Sequence, residues 1–519
     1  MKFAFVTLPS TELERPPAAA AIIGACVRKA GWDCKVFDFN LYLNKAVDTA
    51  TWTTLESYWR CKSLELDADT KNILNGVLES FIDYIEQYNP DMLGVSIFSR
   101  MSVVPAFIFL ETIRKKLNCK IVIGGNGSFS WAGSIPGLSP NGNFAEFALA
   151  ENLIDYHITG DGEDAIIELL HGNTLYHGIN GVPSKQIRNL MDVPLPEYEG
   201  IEPDKYFFTH EPGVYITASR GCVRKCTFCN IPTIWPKFAT RSAEHVVQEI
   251  LDNKRKYDVN LFQFTDSLIN GNMKLWREIN QQLIEAKRKD SSLQPIKYLG
   301  QFICRTRLDQ SESDWNLMAG GGADLLVVGF ESFSANVRQH MGKYYSNADI
   351  DFHFKQSAYH GIKNIALMFV GYPVETLEDH QANIEFLHRY KKYARSGTIS
   401  MVRWGYTGMF AGDTSKVEKD GKVKIITDPD FAKKFNNLPA GIKDIAVGFG
   451  WLNESNPDLT LAERIRRRLE LHELSVKLGW PQTRNREELQ ILYNILSSLK
   501  SNTVDISCFE QLENVLDFH

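Results

Sequence analysis

The chain predicts an α/β fold in three parts. These are a doubly wound parallel sheet, a partial barrel of six strand–helix units, and a small α-rich C-terminal region. Three observations carry this. Short apolar runs alternate with helical patterns over residues 1–190 and again over 213–414, which implies crossover helices and parallel strands. A proline-rich stretch with Pro183, Pro194, Pro196, Pro203 and Pro212 separates the two series. The length of 519 residues suits roughly three domains.

The first strand is expected over 3–8. Pro16 and Pro17 then open an Ala-rich helix over 18–30, stopped by Gly31. Strands follow over 35–39, over 92–98 after Asn89-Pro90, over 120–123 before Gly124-Gly125, and over 156–159 before Gly160-Asp161-Gly162 and a helix over 164–170. Ligands of such a sheet lie off the carboxyl ends of its strands. Residues 191–212 are expected to be a linker packed along the surface. The second series has strand candidates over 214–218, 261–265, 298–303, 325–330, 365–370 and 399–402, with helices over 246–254, 275–288, 313–318 and 382–391. Six units are fewer than the eight of a closed barrel, hence an open one. The C-terminal region, 415–519, starts with charged turns such as Glu418-Lys419-Asp420-Gly421 and continues in helices over 461–478 and 486–499.

Composition excludes several classes. A hydrophobic share of 44% and a charged share of 23% are those of a globular protein, not of collagen, a coiled coil or a disordered chain. The net charge of -6 argues against a general nucleic-acid surface. No apolar run reaches the roughly 18 residues of a membrane span. Residues 1–9 are too short and too lightly charged for a signal peptide. The nine cysteines are odd in number and spread out, which speaks against a disulfide framework and for a reducing cytoplasm.

Three of those cysteines stand together. Cys222, Cys226 and Cys229 form C-x₃-C-x₂-C just after a strand, in the loop that begins Ser219-Arg220-Gly221. Random placement of the cysteines would produce such a triplet roughly 0.003 times. Structural zinc takes four protein ligands, and no fourth Cys or His follows at finger spacing; the next His is His245. Thiolates also hold 4Fe–4S clusters, as a rule four per cluster. Three would leave one iron open to a substrate or cofactor, which is the mark of catalysis. Arg220, Arg224 and Lys225 offset the thiolate charge. The alternatives at this point are a zinc site completed by a distant His, or three unrelated buried thiols.

Phe228, an aromatic before the last cysteine, completes a signature that resembles the radical S-adenosylmethionine (SAM) superfamily. The resemblance implies a TIM-like partial barrel and a 4Fe–4S cluster on Cys222, Cys226 and Cys229. It implies that SAM chelates the open iron and is cleaved by one electron to a 5′-deoxyadenosyl radical. Such an enzyme needs an external electron donor, such as a flavodoxin or ferredoxin. Further stretches match the family's SAM-contacting positions: Asp266 after the second strand, Arg305 after the third, Glu331 and Ser332 in Gly329-Phe330-Glu331-Ser332, and Gly371 and Pro373 in the turn Gly371-Tyr372-Pro373-Val374-Glu375-Thr376. A Glu closing an apolar strand is costly unless it has a partner.

The first domain lacks the G-x-G-x-x-G expected after the first strand of a dinucleotide site, and there is no Walker sequence. It resembles the Rossmann-like cobalamin-binding domain fused to many radical SAM enzymes. The resemblance points to Pro9, Ser10, Ser96, Ser99, Gly124, Gly125, Asn126, Gly127 and Gly160 as cobalamin contacts. The glycines would let backbone approach the corrin or its nucleotide tail. The D-x-H-x-x-G segment that supplies a cobalt-binding His elsewhere is missing, as no His precedes His157.

Other features have plainer expectations. The basic run Arg464, Arg466, Arg467 and Arg468, interleaved with Glu463, Glu470 and Glu473, is expected to be a solvated, salt-bridged face. Cys304 is expected to be a buried strand thiol. The function so implied is a cobalamin-dependent radical SAM methyltransferase acting on an unactivated carbon. The alternatives are methylthiolation, rearrangement or oxidation by the same cluster, or a non-enzymatic cobalamin or metal sensor. Substrate, reductant and oligomeric state have no signature in the chain, and no catalytic residue beyond the cluster is marked.

Overall fold

The computed structural model describes residues 1–9, 13–60, 66–130, 135–138, 142–207, 211–395, 399–406, 415–418, 423–427 and 451–481. The chain forms two compact units. The first comprises Met1–Cys222, Ile231–Gly300 and Gly320–Gly322; the second comprises Val223–Asn230, Gln301–Ala319 and Ala323–His519.

The first unit opens with the expected doubly wound sheet. Its elements are β1 (Lys2–Thr7), α1 (Ala18–Lys29), β2 (Asp33–Asp38), α2 (Phe39–Ala46), α3 (Thr49–Arg60), α4 (Ala68–Tyr88), β3 (Met92–Ser96), α5 (Val103–Lys116), β4 (Lys120–Gly124), α6 (Phe144–Ala150), β5 (Tyr156–Ile158) and α7 (Gly162–Leu170). All five strands are parallel, in the order β2-β1-β3-β4-β5. The order reverses between β1 and β3, where ligands of such sheets bind. Residues on both faces of β1 are buried, Phe3 and Ala4 among them, because helices cover each side. Helices α2 to α4 fill a stretch where no element was expected. The longest, α4, is capped by Asp67, which accepts from Thr70 N–H, and ends at Asn89 in the left-handed region just before Pro90.

Residues 191–212 are fastened more deeply than a surface linker. Tyr198 and Tyr206 are buried, the Tyr198 hydroxyl donates to Tyr215 O at 3.1 Å, and the Tyr206 hydroxyl donates to Asp38 at 2.7 Å. Burial pushes the Asp38 carboxyl above its ordinary value.

Next come β6 (Gly213–Ile216), β7 (Ser219–Arg220), α8 (Ile231–Ile234), β8 (Ala239–Thr240), α9 (Ala243–Tyr257), β9 (Leu261–Phe264), α10 (Met273–Lys289) and β10 (Lys297–Phe302). Strands β6, β9 and β10 are parallel neighbours. The short antiparallel pair β7–β8 has too few residues to leave a periodic signal.

The second unit contains α12 (Ala335–His340), α13 (Asn347–Tyr359) and α14 (Leu377–Arg395), with α11 (Glu312–Gly321) ahead of them. Its parallel strands are β11 (Ala323–Glu331), β12 (Lys363–Val370) and β13 (Ile399–Tyr406). The tail adds α15 (Ser415–Glu418), an antiparallel pair of β14 (Ile425–Thr427) with β15 (Trp451–Asn453), and α16 (Leu461–Lys477). The helix expected over 486–499 lies outside the described residues.

One expectation fails here. Arg464, Arg467 and Arg468 are buried rather than solvated. Helix α16 packs on α14 and β12, and Arg467 meets buried acceptors there, Glu375 among them at 2.9 Å. Only Arg466 keeps the surface role, pairing with Glu463 and Glu470. Among the described residues, no helix is long and apolar enough to cross a membrane.

Candidate functional site

In the first unit, the strand–loop junction ahead of Cys222 is tied down from three sides. Thr265 N–H donates to Ile216 O at 2.8 Å and extends the β6–β9 ladder. Asp266 accepts from Ala218 N–H at 2.9 Å and from the Ser219 hydroxyl at 2.5 Å. It is 2% exposed, and burial raises its carboxyl to about 6. One oxygen thus holds the loop backbone and the other the Ser219 side chain. Arg241 donates to Thr217 O at 2.8 Å and pairs with buried Glu249. Gly221 then turns with φ +84, and a Cβ there would stand 2.6 Å from Lys237 O. Only glycine fits before the first cysteine.

Arg220 connects this loop to the first sheet. Its guanidinium donates to Asp161 at 3.1 Å and pairs with Glu163, the two acids of Gly160-Asp161-Gly162-Glu163 at the start of α7. Asp161 also accepts from the Trp235 indole N–H at 2.9 Å and from Ile187 N–H at 2.7 Å. These carboxylates therefore spend themselves on protein.

The expected cobalamin contacts lie at the carboxyl edge of the sheet. Pro9 follows β1 and is buried; Ser10 lies outside the described residues. Ser96 ends β3, Gly124 ends β4, and Gly125, Asn126 and Gly127 follow it. Ile97 N–H donates to Gly124 O at 2.8 Å, and Gly127 N–H donates to Ile97 O at 2.9 Å. A Cβ on Gly125 would stand 2.5 Å from Ile97 O, and one on Gly127 would stand 2.2 Å from Ser99 O. The bareness of these two glycines lets one loop backbone pass another, which is a different reason from the approach of a corrin. Likewise, a Cβ on Gly160 would stand 2.7 Å from the Ser184 side chain. The Ser99 hydroxyl accepts from Met101 N–H at 3.3 Å. Gly125 and Asn126 are exposed at this edge. So is Phe98, at 62%, because β3 stops at Ser96 instead of continuing to 98.

In the second unit, Cys226 is buried and Cys229 half-buried, and Cys229 N–H donates to Cys226 O at 3.1 Å. Phe228 packs edge-on against Phe369, with ring centres 4.6 Å apart, beside Val337, Met341 and Tyr372. Glu331 has φ +64 at a bulge in β11. Its carboxylate meets Lys343 Nζ at 2.8 Å, and the same ammonium donates to Gly329 O at 3.0 Å. That lysine is the partner a buried Glu requires, and no periodicity or motif marked it in the sequence. The Ser332 hydroxyl is buried; it accepts from Ser334 N–H at 3.1 Å and lies 3.3 Å from Asn383 Oδ1. Ser332 O accepts from the fully buried Arg338 at 2.7 Å. Arg305 is half-buried just past β10. Neighbouring Cys304 is wholly buried, and burial pushes its thiol upward, as a core thiol should be.

The turn after β12 is braced by several partners. Gly371 has φ +71, and a Cβ there would stand 2.6 Å from the Arg464 side chain. Its N–H donates to Glu375 at 3.2 Å. Glu375 is wholly buried. Burial raises its carboxyl to about 7, while the guanidinium of Arg467, 2.9 Å away, pulls the other way. Pro373 O accepts from Asn453 at 3.0 Å and from Asn456 at 3.2 Å.

Comparison with known proteins agrees with this arrangement. A family model described as the radical SAM superfamily matches residues 216–387. An uncharacterized methyltransferase of Pyrococcus horikoshii is 23% identical over 337 residues, which are 60% of this chain and 68% of that one. Among solved structures, the radical SAM methyltransferase TsrM from Kitasatospora setae, with cobalamin and a 4Fe–4S cluster bound, aligns with a TM-score of 0.57 at 15% identity, covering 78% of this chain and 74% of TsrM. The cobalamin-dependent radical SAM enzyme OxsB, with aqua-cobalamin bound, aligns with a TM-score of 0.53 at 17% identity, covering 81% of this chain and 55% of OxsB. At these identities the likeness shows the fold, and it bears out the α/β class and the TIM-like partial barrel.

Proposed function

From a chain whose residues 216–387 form a radical SAM domain, we propose a cobalamin-dependent enzyme that transfers a methyl group to an unactivated carbon. The observation that carries the radical chemistry is the donor set. Three thiols stand within eight residues of one loop, at the carboxyl end of the first barrel strand, with no fourth Cys or His at finger spacing. Three thiolates suit a 4Fe–4S cluster with one open iron better than a closed zinc site. Cys222, Cys226 and Cys229 are its ligands in this reading.

When bound, the cluster supplies the electron for reductive cleavage of SAM, and cobalamin supplies the methyl group. The chain's own residues position these groups. Asp266 and Ser332 act at one remove, because their polar atoms hold the loop before Cys222 and the β11 end. Glu331, Arg305, Gly371, Pro373 and Phe228 stay as the SAM contacts. The Lys343 ammonium, 2.8 Å away, fixes the direction of the Glu331 side chain, which would accept hydrogen bonds from SAM hydroxyl or ammonium groups. The cobalamin assignment is supported by the strand order, whose switch point lies between β1 and β3, and by the exposed edge of Phe98, Gly125 and Asn126. It draws further support from TsrM and OxsB, which share the fold and are described with cobalamin bound.

The test is anaerobic reconstitution of the full chain with iron and sulfide, with spectra taken in the presence of cobalamin before and after SAM and reductant. Retained cobalamin and release of 5′-deoxyadenosine are expected. A protein that retains the cluster but never cobalamin would remove the methyltransferase and leave the radical SAM chemistry. Absence of 5′-deoxyadenosine would remove the radical mechanism.

A further inference from the structure

Tyr372 lies between Gly371 and Pro373, wholly buried against Val337 and Met341. The surround of the ring is apolar. A buried hydroxyl is costly unless it is hydrogen-bonded, so its partners account for it. They are Thr227 Oγ1, at 2.6 Å, and His340 Nδ1, at 3.1 Å. The phenol has one hydrogen, so it donates to at most one of these neighbours and accepts from at least one. The three residues form one continuous chain.

That chain ends inside the cysteine loop. Thr227 stands between Cys226 and Phe228. Its N–H donates to Met341 O at 3.3 Å, one residue past His340. A Cβ on Gly342 would come within 3.9 Å of Cys226 Cα, so the backbone after α12 runs directly against the cysteine. The 226–229 turn is therefore held by backbone from one side and by the Tyr372 hydroxyl from another.

We infer that Tyr372, acting through Thr227 and His340, is a positioning residue for the iron–sulfur site. It holds the turn that presents Cys226 and Cys229, and it joins the cysteine loop to the SAM-side turn through one hydrogen-bond chain. The inference rests on the cluster assignment proposed above. Partners that orient metal ligands typically cost about 10–100-fold in metal affinity when removed.

The test is a chelator challenge of the reconstituted full-length protein under argon, following iron release by visible absorbance and recording the electron paramagnetic resonance spectrum of the reduced cluster. Tyr372→Phe and Thr227→Val are each expected to release iron about ten times faster than the parent, with an altered spectrum. Thr227→Ser keeps the hydroxyl and is expected to match the parent. The Tyr372→Phe/Thr227→Val double variant is expected to be no faster than Tyr372→Phe alone, since both remove the same bond. Parental iron retention by Tyr372→Phe overturns the inference. So does additivity in the double variant, or a Thr227→Ser protein as leaky as Thr227→Val. If the parent takes up no cluster, or Cys226→Ala holds one equally well, the cluster assignment itself fails and takes this inference with it.

Discussion

Asp266 shows how burial changes what a residue does. Sequence places an acid after the second barrel strand, and tertiary structure turns one of its oxygens onto the Ala218 N–H and the other onto the Ser219 hydroxyl, both just past the first strand. Its carboxyl rises from 3.8 to about 6, so the native state holds the proton more tightly than the unfolded chain. The sign is therefore the reverse of a salt-bridged Asp: this group's contribution to stability is fully present below about pH 4 and is lost as pH rises through about 6. The shift corresponds to about 3 kcal/mol. Asp266→Asn is expected to flatten that slope in a thermal-unfolding series from pH 4 to 7.5; an unchanged slope would refute the assignment. Gly127 gives a second residue-scale prediction. A Cβ 2.2 Å from Ser99 O must displace backbone. Gly127→Ala is expected to cost about 2–3 kcal/mol in denaturant unfolding. The glycine run was visible in the sequence. Its reason was not, because the opposing loop comes from a different strand end.

At the scale of elements, the tail helix α16 changes meaning most. Its arginines alternate with glutamates at helix spacing, the pattern of a solvated face. Yet Arg467 reaches Glu375 and the carbonyls of Glu375 and Thr376, Arg464 lies over Gly371, and Trp480 stacks near Phe386 with its indole N–H on Leu387 O. Periodicity reports which residues share a face, not what that face meets. The tail thus braces the 371–376 turn. Arg467→Met would leave Glu375 buried without its cation, at an expected cost of about 3–5 kcal/mol by denaturant titration. The Glu375→Gln/Arg467→Met double variant is expected to recover most of that loss, since no carboxylate is then buried without its cation. A double variant as unstable as the single one would show that the pair is not what holds the turn.

Over the whole molecule, Arg220 joins two parts of the first unit that the sequence reads as separate domains. It leaves the barrel's first loop and ends on two acids of the first sheet's α7. Arg220→Lys keeps the charge and loses the fork that spans both carboxylates. A cost of about 1.5–3 kcal/mol is expected, with faster hydrogen exchange at the amides of 218–222 and little change in β3. Equal acceleration in both segments would mean general loosening, not a lost latch. The sequence by itself determined the α/β class, the strands of the two parallel series, the cysteine loop and the family it resembles. Those depend on local periodicity, turn residues and a motif eight residues long. Tertiary structure alone decided the partners: Lys343 for Glu331, Arg467 for Glu375, Arg220 for Asp161 and Glu163, and Tyr372 for Thr227. Each pair lies 12 to 145 residues apart along the chain, and what selects it is the cost of burying a polar group, which exists only once the core has closed.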